Sequence, residues 1–416
     1  MQVRNRNRGF PPPAGSPGPG PRAGAADACP GILDLHEARD GLVARIRLPG
    51  GYVSAARLRA LAALARRFGD GHVDLTARGN VQIRGVAPGA EAQLAQRAAA
   101  AGLLPSPAHD RARNILASPL AGLAGRPDLR GPVRRLDRAI RADPGLAALP
   151  GRFLFSLDDG TGRAGLGGCD VGLRWRSGET ELIVAGRHTG VRAPAARGIG
   201  HALAAARAFL AQRAAAAPAA GRVAGLPDNG AQVAAAAGGV LGGPVTDVAG
   251  RLALGPVPGG GSLAVAAPLA RLTAAQVRLV AGLVRPGDVA RLAAAGRIVL
   301  PLSGPAPAAL DRLAGAGLIA GDDDGLAAVT ACAGMTCGRS LADVRCAATR
   351  LPGLAAVHWA GCERRCGLPA DAVAVVATPG GAFTLADGTA VVAMPGGGFT
   401  VAGDRRGLTG VQARPA

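Results

Sequence analysis

Four cysteines near the C-terminal end, Cys332, Cys337, Cys362 and Cys366, form a C-x4-C pair and a C-x3-C pair separated by 24 residues. Thiolates arriving as two close pairs can wrap a cubane in which each iron needs one sulfur ligand. Structural zinc prefers pairs two residues apart, because a tight knuckle brings both sulfurs onto one small ion. The spacing therefore points to an iron-sulfur cluster ahead of zinc, with unliganded core thiols as the bland reading.

The elements that must position these groups recur. Leu42 to Leu48 alternates as a strand and ends at Pro49-Gly50-Gly51. Ser54 is an expected N-cap for a helix presenting Leu58, Leu61, Leu64 and Phe68 on one face, closed by Gly69. Short strands follow near 73–75 and 81–83, which makes half of a ferredoxin-like unit. About 220 residues later the order returns. Leu263 to Ala267 reads as a strand, Thr273 as a cap, Val277, Val280 and Val284 as a helix face, and Arg297 to Leu300 as a strand. Such repetition predicts a duplicated half-molecule.

The expected organisation is a disordered Pro/Gly/Arg-rich tail over 1–28, a first half-domain over 29–87 and a first α/β region over 88–213. An Ala/Gly/Pro-rich linker over 214–243 leads to a second half-domain over 244–300 and a second α/β region over 301–416, which carries the cysteines and ends in short strands near 373–376, 390–393 and 400–402.

Bulk properties narrow the function. The 416 residues suffice for two or three domains. An odd count of seven cysteines suits a reducing compartment, hence the cytoplasm. No apolar run suggests a signal peptide or a membrane span. The net charge of +19 would ordinarily suggest a polyanion, but there is no lysine and only 2% of residues are aromatic. Compositional bias and the lack of stacking platforms argue against nucleic acid. No nicotinamide or flavin fingerprint stands out among the 65 glycines.

The cysteine quartet, the segment from Asp74 to Gly85 and the segment from Arg113 to Gly122 resemble the sulfite/nitrite reductase superfamily, and within it the precorrin-3B synthase family of aerobic cobalamin biosynthesis. The likeness runs from about Cys29 into the C-terminal region. It implies an α/β (α+β) fold in which two ferredoxin-like half-domains and two larger α/β regions pack about a pseudo-twofold axis. The resemblance also implies a [4Fe-4S] cluster on Cys332, Cys337, Cys362 and Cys366. Arg45, Arg78, Arg113 and Arg152 would then face tetrapyrrole carboxylates. The implied reaction is oxygen-dependent monooxygenation of precorrin-3A with closure of a γ-lactone. Its partners would be precorrin-3A, dioxygen and an external donor, either a ferredoxin or an NAD(P)H-dependent reductase.

Because a cluster relays single electrons rather than activating oxygen, a second centre is implied, and the resemblance makes it a mononuclear non-haem iron. His36, His72, His109, His188, His201 and His358 show no close pair for it, and no general acid or base is legible. The rival reading is a sirohaem-dependent sulfite or nitrite reductase with Cys366 bridging to the sirohaem. Leu154 speaks against it, standing where the reductases use a proton-donating lysine. A non-catalytic iron-sulfur or nucleic-acid-binding protein is the reading from another class. Two further departures are the first cysteine pair, one residue shorter than usual with Cys346 as a spare thiol, and Ala295-Gly296 in place of a Trp-Arg pair.

Overall fold

The computed structural model describes residues 29–246, 249–350, 356–369, 371–385, 388–393 and 399–401. The expected tail over 1–28 lies outside them. Among the described residues four sheets organise the chain, and they form two matched pairs.

The first sheet orders its strands His36–Ala38, Gly41–Ile46, Val81–Val86, His72–Leu75 and Arg271–Thr273; the second orders Gly255–Pro256, Ser262–Ala266, Arg297–Pro301, Ala290–Leu292 and Tyr52–Val53. Each sheet takes its last strand from the other half. Tyr52–Val53 pairs antiparallel with Ala290–Leu292, and Arg271–Thr273 pairs antiparallel with His72–Leu75. This reciprocal exchange joins the halves by backbone hydrogen bonds in addition to the core they share.

The crossing depends on a turn. Gly50 and Gly51 both take left-handed φ values, of 72° and 70°. A Cβ on Gly51 would lie 2.2 Å from the Leu292 carbonyl oxygen, so only glycine lets the first half approach the second this closely. The corresponding turn of the second half manages with Leu269 and Ala270, at φ 49° and 58°. Leaving each turn, the chain enters a helix capped as its sequence predicts. Ser54 accepts from the Arg57 N–H ahead of Ala55–Phe68, and Thr273 forms a full capping box with Gln276 ahead of Ala274–Leu283. Leu58, Leu61 and Leu64 of one helix and Val277 and Val280 of the other lie in one buried core.

The two α/β regions repeat a second pattern. Ile115–Ala117, Phe155–Asp158 and Val171–Arg176 run parallel, and Glu179–Val184 and Arg187–Pro194 continue the sheet antiparallel. In the other region Val329–Ala331, Val357–Ala360 and Val373–Ala377 are parallel, followed by antiparallel Phe383–Leu385, Ala390–Ala393 and Phe399–Val401. Parallel order places the loops after the first two strands of each sheet side by side at one edge. Residues 214–243, read from composition as a linker, carry the helix Ala231–Ala236 and send Val223, Leu226, Val233 and Ala234 into the first region's core.

Candidate cluster and carboxylate-binding site

Cys332 and Cys362 lie just beyond the C-terminal ends of the adjacent parallel strands Val329–Ala331 and Val357–Ala360. The Cys332 N–H donates to the Trp359 carbonyl at 2.9 Å, which continues the sheet by one bond and fixes where its sulfur emerges. Cys337 closes the single turn Gly334–Thr336, and Cys366 follows the turn in which the Arg365 N–H donates to the Cys362 carbonyl at 3.1 Å. All four cysteines, with Ala333, Ser340 and Gly361, line one cavity of about 40 Å³. The short first loop thus still delivers Cys337. Cys346 is exposed on the helix Val344–Thr349 and is not part of that lining.

The cavity suits a cluster. Its Cys332 sulfur already accepts the N–H groups of Gly334 at 3.4 Å and Gly361 at 3.2 Å, bonds that favour a thiolate. A Cβ on Gly361 would fall 2.0 Å from Ser340 Oγ, so the wall leaves no room for a side chain there. Cys366 is exposed on one side, and its partial burial, followed by neighbouring Cys332, Cys362 and Cys337, pushes its thiol up. Four mutually repelling thiolates need a cationic core between them. Among the described residues no three His, Cys, Asp or Glu side chains are grouped to hold a single ion. A tetrahedral zinc would need sulfurs within about 4 Å of one another, whereas a cubane spreads them, since each binds a different iron. Among the described residues no group of side chains fits a mononuclear iron. His358 is buried with its Nδ1 2.9 Å from Thr330 Oγ1, and burial pulls its pKa down to about 4.

Arginines from three segments gather in the first half. Arg78 Nη1 donates to the Arg152 carbonyl at 3.0 Å, and the exposed Arg152 side chain starts from that point. Arg45 bonds the Cys29 sulfur at 3.6 Å and, through Nε and Nη2, the Gln82 amide oxygen. Two further members escaped sequence reasoning. Arg47 is 2% exposed, donates to the Gly151 carbonyl at 3.1 Å and keeps a buried Nε with no hydrogen-bond partner. Burial, and then Arg45, lower its pKa to about 9. Arg222 is anchored on buried Asp170 at 2.5 Å and stands among the charges acting on Arg78. The signal for Arg47 lay in its place two residues after Arg45, just past the end of the strand Gly41–Ile46; nothing local marked Arg222. Arg113 is placed differently. It is 4% exposed, with Nε on Asp137 at 2.6 Å and a buried Nη1 left without a partner.

The duplication supplies an internal control. Ile46 pairs with Val81 as Val265 pairs with Ile298, so Arg45 and Arg47 correspond to Ala264 and Ala266. Gly79 and Gly296 are likewise matched, with φ 66° and 70°, which equates Arg78 with Ala295. The scaffold therefore accepts alanine at all three positions, and the arginines are not structural necessities. The thiols show the reverse. Ser118 follows Ile115–Ala117 as Cys332 follows Val329–Ala331, and Ser118 Oγ accepts the Asp159 N–H at 3.1 Å as Cys332 Sγ accepts that of Gly361. Where the second region has its thiol loop, the first has the Asp158 carboxylate. It accepts N–H groups from Gly160, Gly162 and Ala164 and the Ser118 hydroxyl, at 2.9 to 3.0 Å.

The fold has a counterpart among solved structures, and the first half-domain matches a known family model. Residues 36–101 match the family model for the nitrite/sulfite reductase ferredoxin-like half domain. The structure of the Mycobacterium tuberculosis NirA protein shares the fold with a TM-score of 0.67 at 19% identity, over 83% of this chain and 74% of that one. A precorrin-3B synthase from Sinorhizobium sp is 31% identical over 161 residues, 38% of this chain and 34% of that protein. A ferredoxin–nitrite reductase from Leptolyngbya laminosa is 34% identical over 121 residues, 27% of this chain and 24% of that protein. One from Synechococcus elongatus is 32% identical over 126 residues, 28% of this chain and 25% of that protein. The matches thus span about a third or less of these curated relatives. The resemblance to the superfamily, and within it to precorrin-3B synthase, is borne out. Among the described residues no helix is long and apolar enough to cross a membrane.

Proposed function

We propose that this chain is an enzyme of the precorrin-3B synthase type, which hydroxylates precorrin-3A with dioxygen and closes a γ-lactone ahead of corrin ring contraction. The observation that carries this reading is the one-sided arginine set. Arg45, Arg47 and Arg78 crowd positive charge where the matched half has Ala264, Ala266 and Ala295. Unpaired guanidinium groups are costly to bury, and an arriving polyanion offsets that cost. A macrocycle rimmed with acetates and propionates is such a ligand. Arg45, Arg78 and Arg152 would grip its carboxylates, Arg47 would strengthen the field from behind, and Arg113 would offer its free Nη1 while Asp137 fixes its orientation.

Cys332, Cys337, Cys362 and Cys366 would hold a [4Fe-4S] cluster, which supplies electrons one at a time. Splitting dioxygen to hydroxylate one carbon requires two electrons beyond those of the substrate, so an external ferredoxin or NAD(P)H-dependent reductase is part of the proposal. A cytoplasmic setting, where thiols stay reduced, fits this chemistry.

A sirohaem-dependent reductase is the second reading, favoured by the exposure of Cys366, whose sulfur could bridge to a second group. Leu154 weighs against it. Its side chain is buried with Leu116, Leu166, Cys169, Ile183 and Val245 and can deliver no proton to a bound oxyanion. The test is the visible spectrum of anaerobically purified protein before and after precorrin-3A and then oxygen. Broad cluster absorbance without a Soret band, followed by oxygen-dependent hydroxylated product, is expected. A co-purifying sirohaem band would move the assignment to the reductases.

A further inference from the structure

We propose that Arg222 is a further carboxylate-binding arm of the arginine pocket, brought there by the chain that follows the long helix Ala195–Ala216 and held in place by Asp170. This rests on the reading of that pocket as a site for a polycarboxylate macrocycle, and it assigns one rim carboxylate to the Arg222 guanidinium.

Sequence distance hides the position. Beyond the helix the chain turns back, and a Cβ on Gly221 would lie 3.7 Å from Arg152 Cδ. Arg152 in turn offers its carbonyl to Arg78 Nη1 at 3.0 Å, so Arg222 enters beside two arginines that come from other segments. The crowding is felt at Arg78, whose pKa is pulled down by burial and then by the Arg222 charge. Like charges held this close are costly without an anion between them.

Two of the three Arg222 nitrogens fix its orientation. Nε stands 2.5 Å from Asp170 Oδ2, and Nη2 donates to the Gly168 carbonyl at 2.5 Å. Among the described residues Nη1 has no partner, and 28% of the side chain is open to solvent. The fork is therefore set in advance, and a carboxylate meeting Nη1 need not order a long side chain on arrival. Satisfying Asp170 does not by itself require this arginine. Asp170 is 1% exposed and already accepts the N–H groups of Leu154 at 2.8 Å and Val223 at 2.7 Å. Asp158, equally buried, is held by the N–H groups of Gly160, Gly162 and Ala164 and the Ser118 hydroxyl, with no arginine on it among the described residues.

The test measures binding of uroporphyrin III, a porphyrin rimmed with acetates and propionates, to full-length protein through quenching of the porphyrin's own fluorescence. The thermal midpoint is recorded for every variant. Arg222→Gln should raise Kd about tenfold, the scale of one charged hydrogen bond. Arg197→Gln removes the same charge from an exposed arginine on the long helix and should leave Kd within about twofold of the wild type. Arg222→Lys puts its single nitrogen on Asp170 and keeps none for the ligand. It should therefore hold the thermal midpoint near that of the wild type while binding as weakly as Arg222→Gln, whereas a purely structural arginine would be rescued by lysine. Wild-type affinity in Arg222→Gln or Arg222→Lys, or an equal loss in Arg197→Gln, overturns the proposal. If Arg222→Gln fails to fold because Asp170 is left unpaired, Arg222→Lys against the wild type decides by the same criterion. Wild-type protein that binds no uroporphyrin III would instead refute the polycarboxylate reading.

Discussion

The Asp158 carboxylate, replaced by an isosteric amide, gives a demanding test of the correspondence between the two α/β regions. Asp158 is fully buried. Its Oδ1 accepts from Gly160 and Gly162, and its Oδ2 from Ala164 and Ser118. In Asp158→Asn one oxygen remains and can serve two donors. The amide nitrogen must then face the Ala164 N–H, two donors with no acceptor between them. The Ser118 hydroxyl can rotate to accept from the amide, but it already accepts from the Asp159 N–H. One charge-assisted bond is lost and one buried N–H is orphaned, which together cost about 2–4 kcal/mol. For a cooperative unit of about 150–250 residues that lowers the thermal midpoint by roughly 4–16 °C. The assay is thermal unfolding followed by circular dichroism, with iron and sulfide measured on the same preparation. The midpoint should fall while cluster content stays at the wild-type level, because Asp158 serves the region that carries no thiol quartet. An unchanged midpoint would refute the carboxylate as the anchor of that loop, and loss of iron would refute the independence of the two loops.

Cys362→Ser should abolish the cluster absorbance, and unchanged iron and sulfide would remove Cys362 from the ligand set. Arg78→Ala should weaken macrocycle binding by about 1–3 kcal/mol, or roughly 5- to 150-fold in Kd measured by fluorescence quenching, the scale of one lost charged hydrogen bond; unchanged affinity would take it out of the pocket. The Arg207 guanidinium, 2.7 Å from Asp143, holds that carboxyl below the usual carboxylate range. A depressed folded-state pKa contributes stability above the unfolded value, which is lost as pH falls through the folded value. The stability gap between wild type and Arg207→Gln should therefore be open at neutral pH and close below about pH 4. Denaturation midpoints across that range check it, and a gap that widens in acid would contradict the pairing.

Much of this was legible because it is local. Ser54 and Thr273 announce their helices by capping, and the cysteine pairs converge because each follows a strand end. The reciprocal strand exchange was not legible. Tyr52–Val53 is two residues long, and no pattern within it says which sheet it joins. That choice is made by the Gly51 turn and the Leu292 backbone, more than two hundred residues apart in sequence. Arg222 was missed for the same reason, since it reaches the arginine cluster only because residues 214–243 fold back onto the first region. Asp158 carried a local signal, an Asp-Asp-Gly-Thr-Gly run of the kind that turns around a carboxylate, but its meaning emerges only beside the thiol loop it mirrors.

That mirror relation explains why one site, not two, should arise from a duplicated scaffold. The first half presents Arg45, Arg47 and Arg78 where the second has alanines, and the second region presents Cys332 and Cys362 where the first has Ser118 and Gly160. Neither half holds both sets. A polycarboxylate and a metal cluster can be served together only if the halves are joined, and the structure joins them at the cysteine loop itself. The Arg39 N–H and Arg84 Nη2 of the first half both donate to the Thr336 carbonyl, at 3.1 and 2.9 Å, one residue before Cys337. Loosening the inter-half contact should therefore cost cluster retention as well as stability. Gly51→Ala, which drives a Cβ into the Leu292 carbonyl, should lower both together. Should it lower the thermal midpoint and leave iron and sulfide at wild-type levels, the thiol cavity would not depend on the union of the halves.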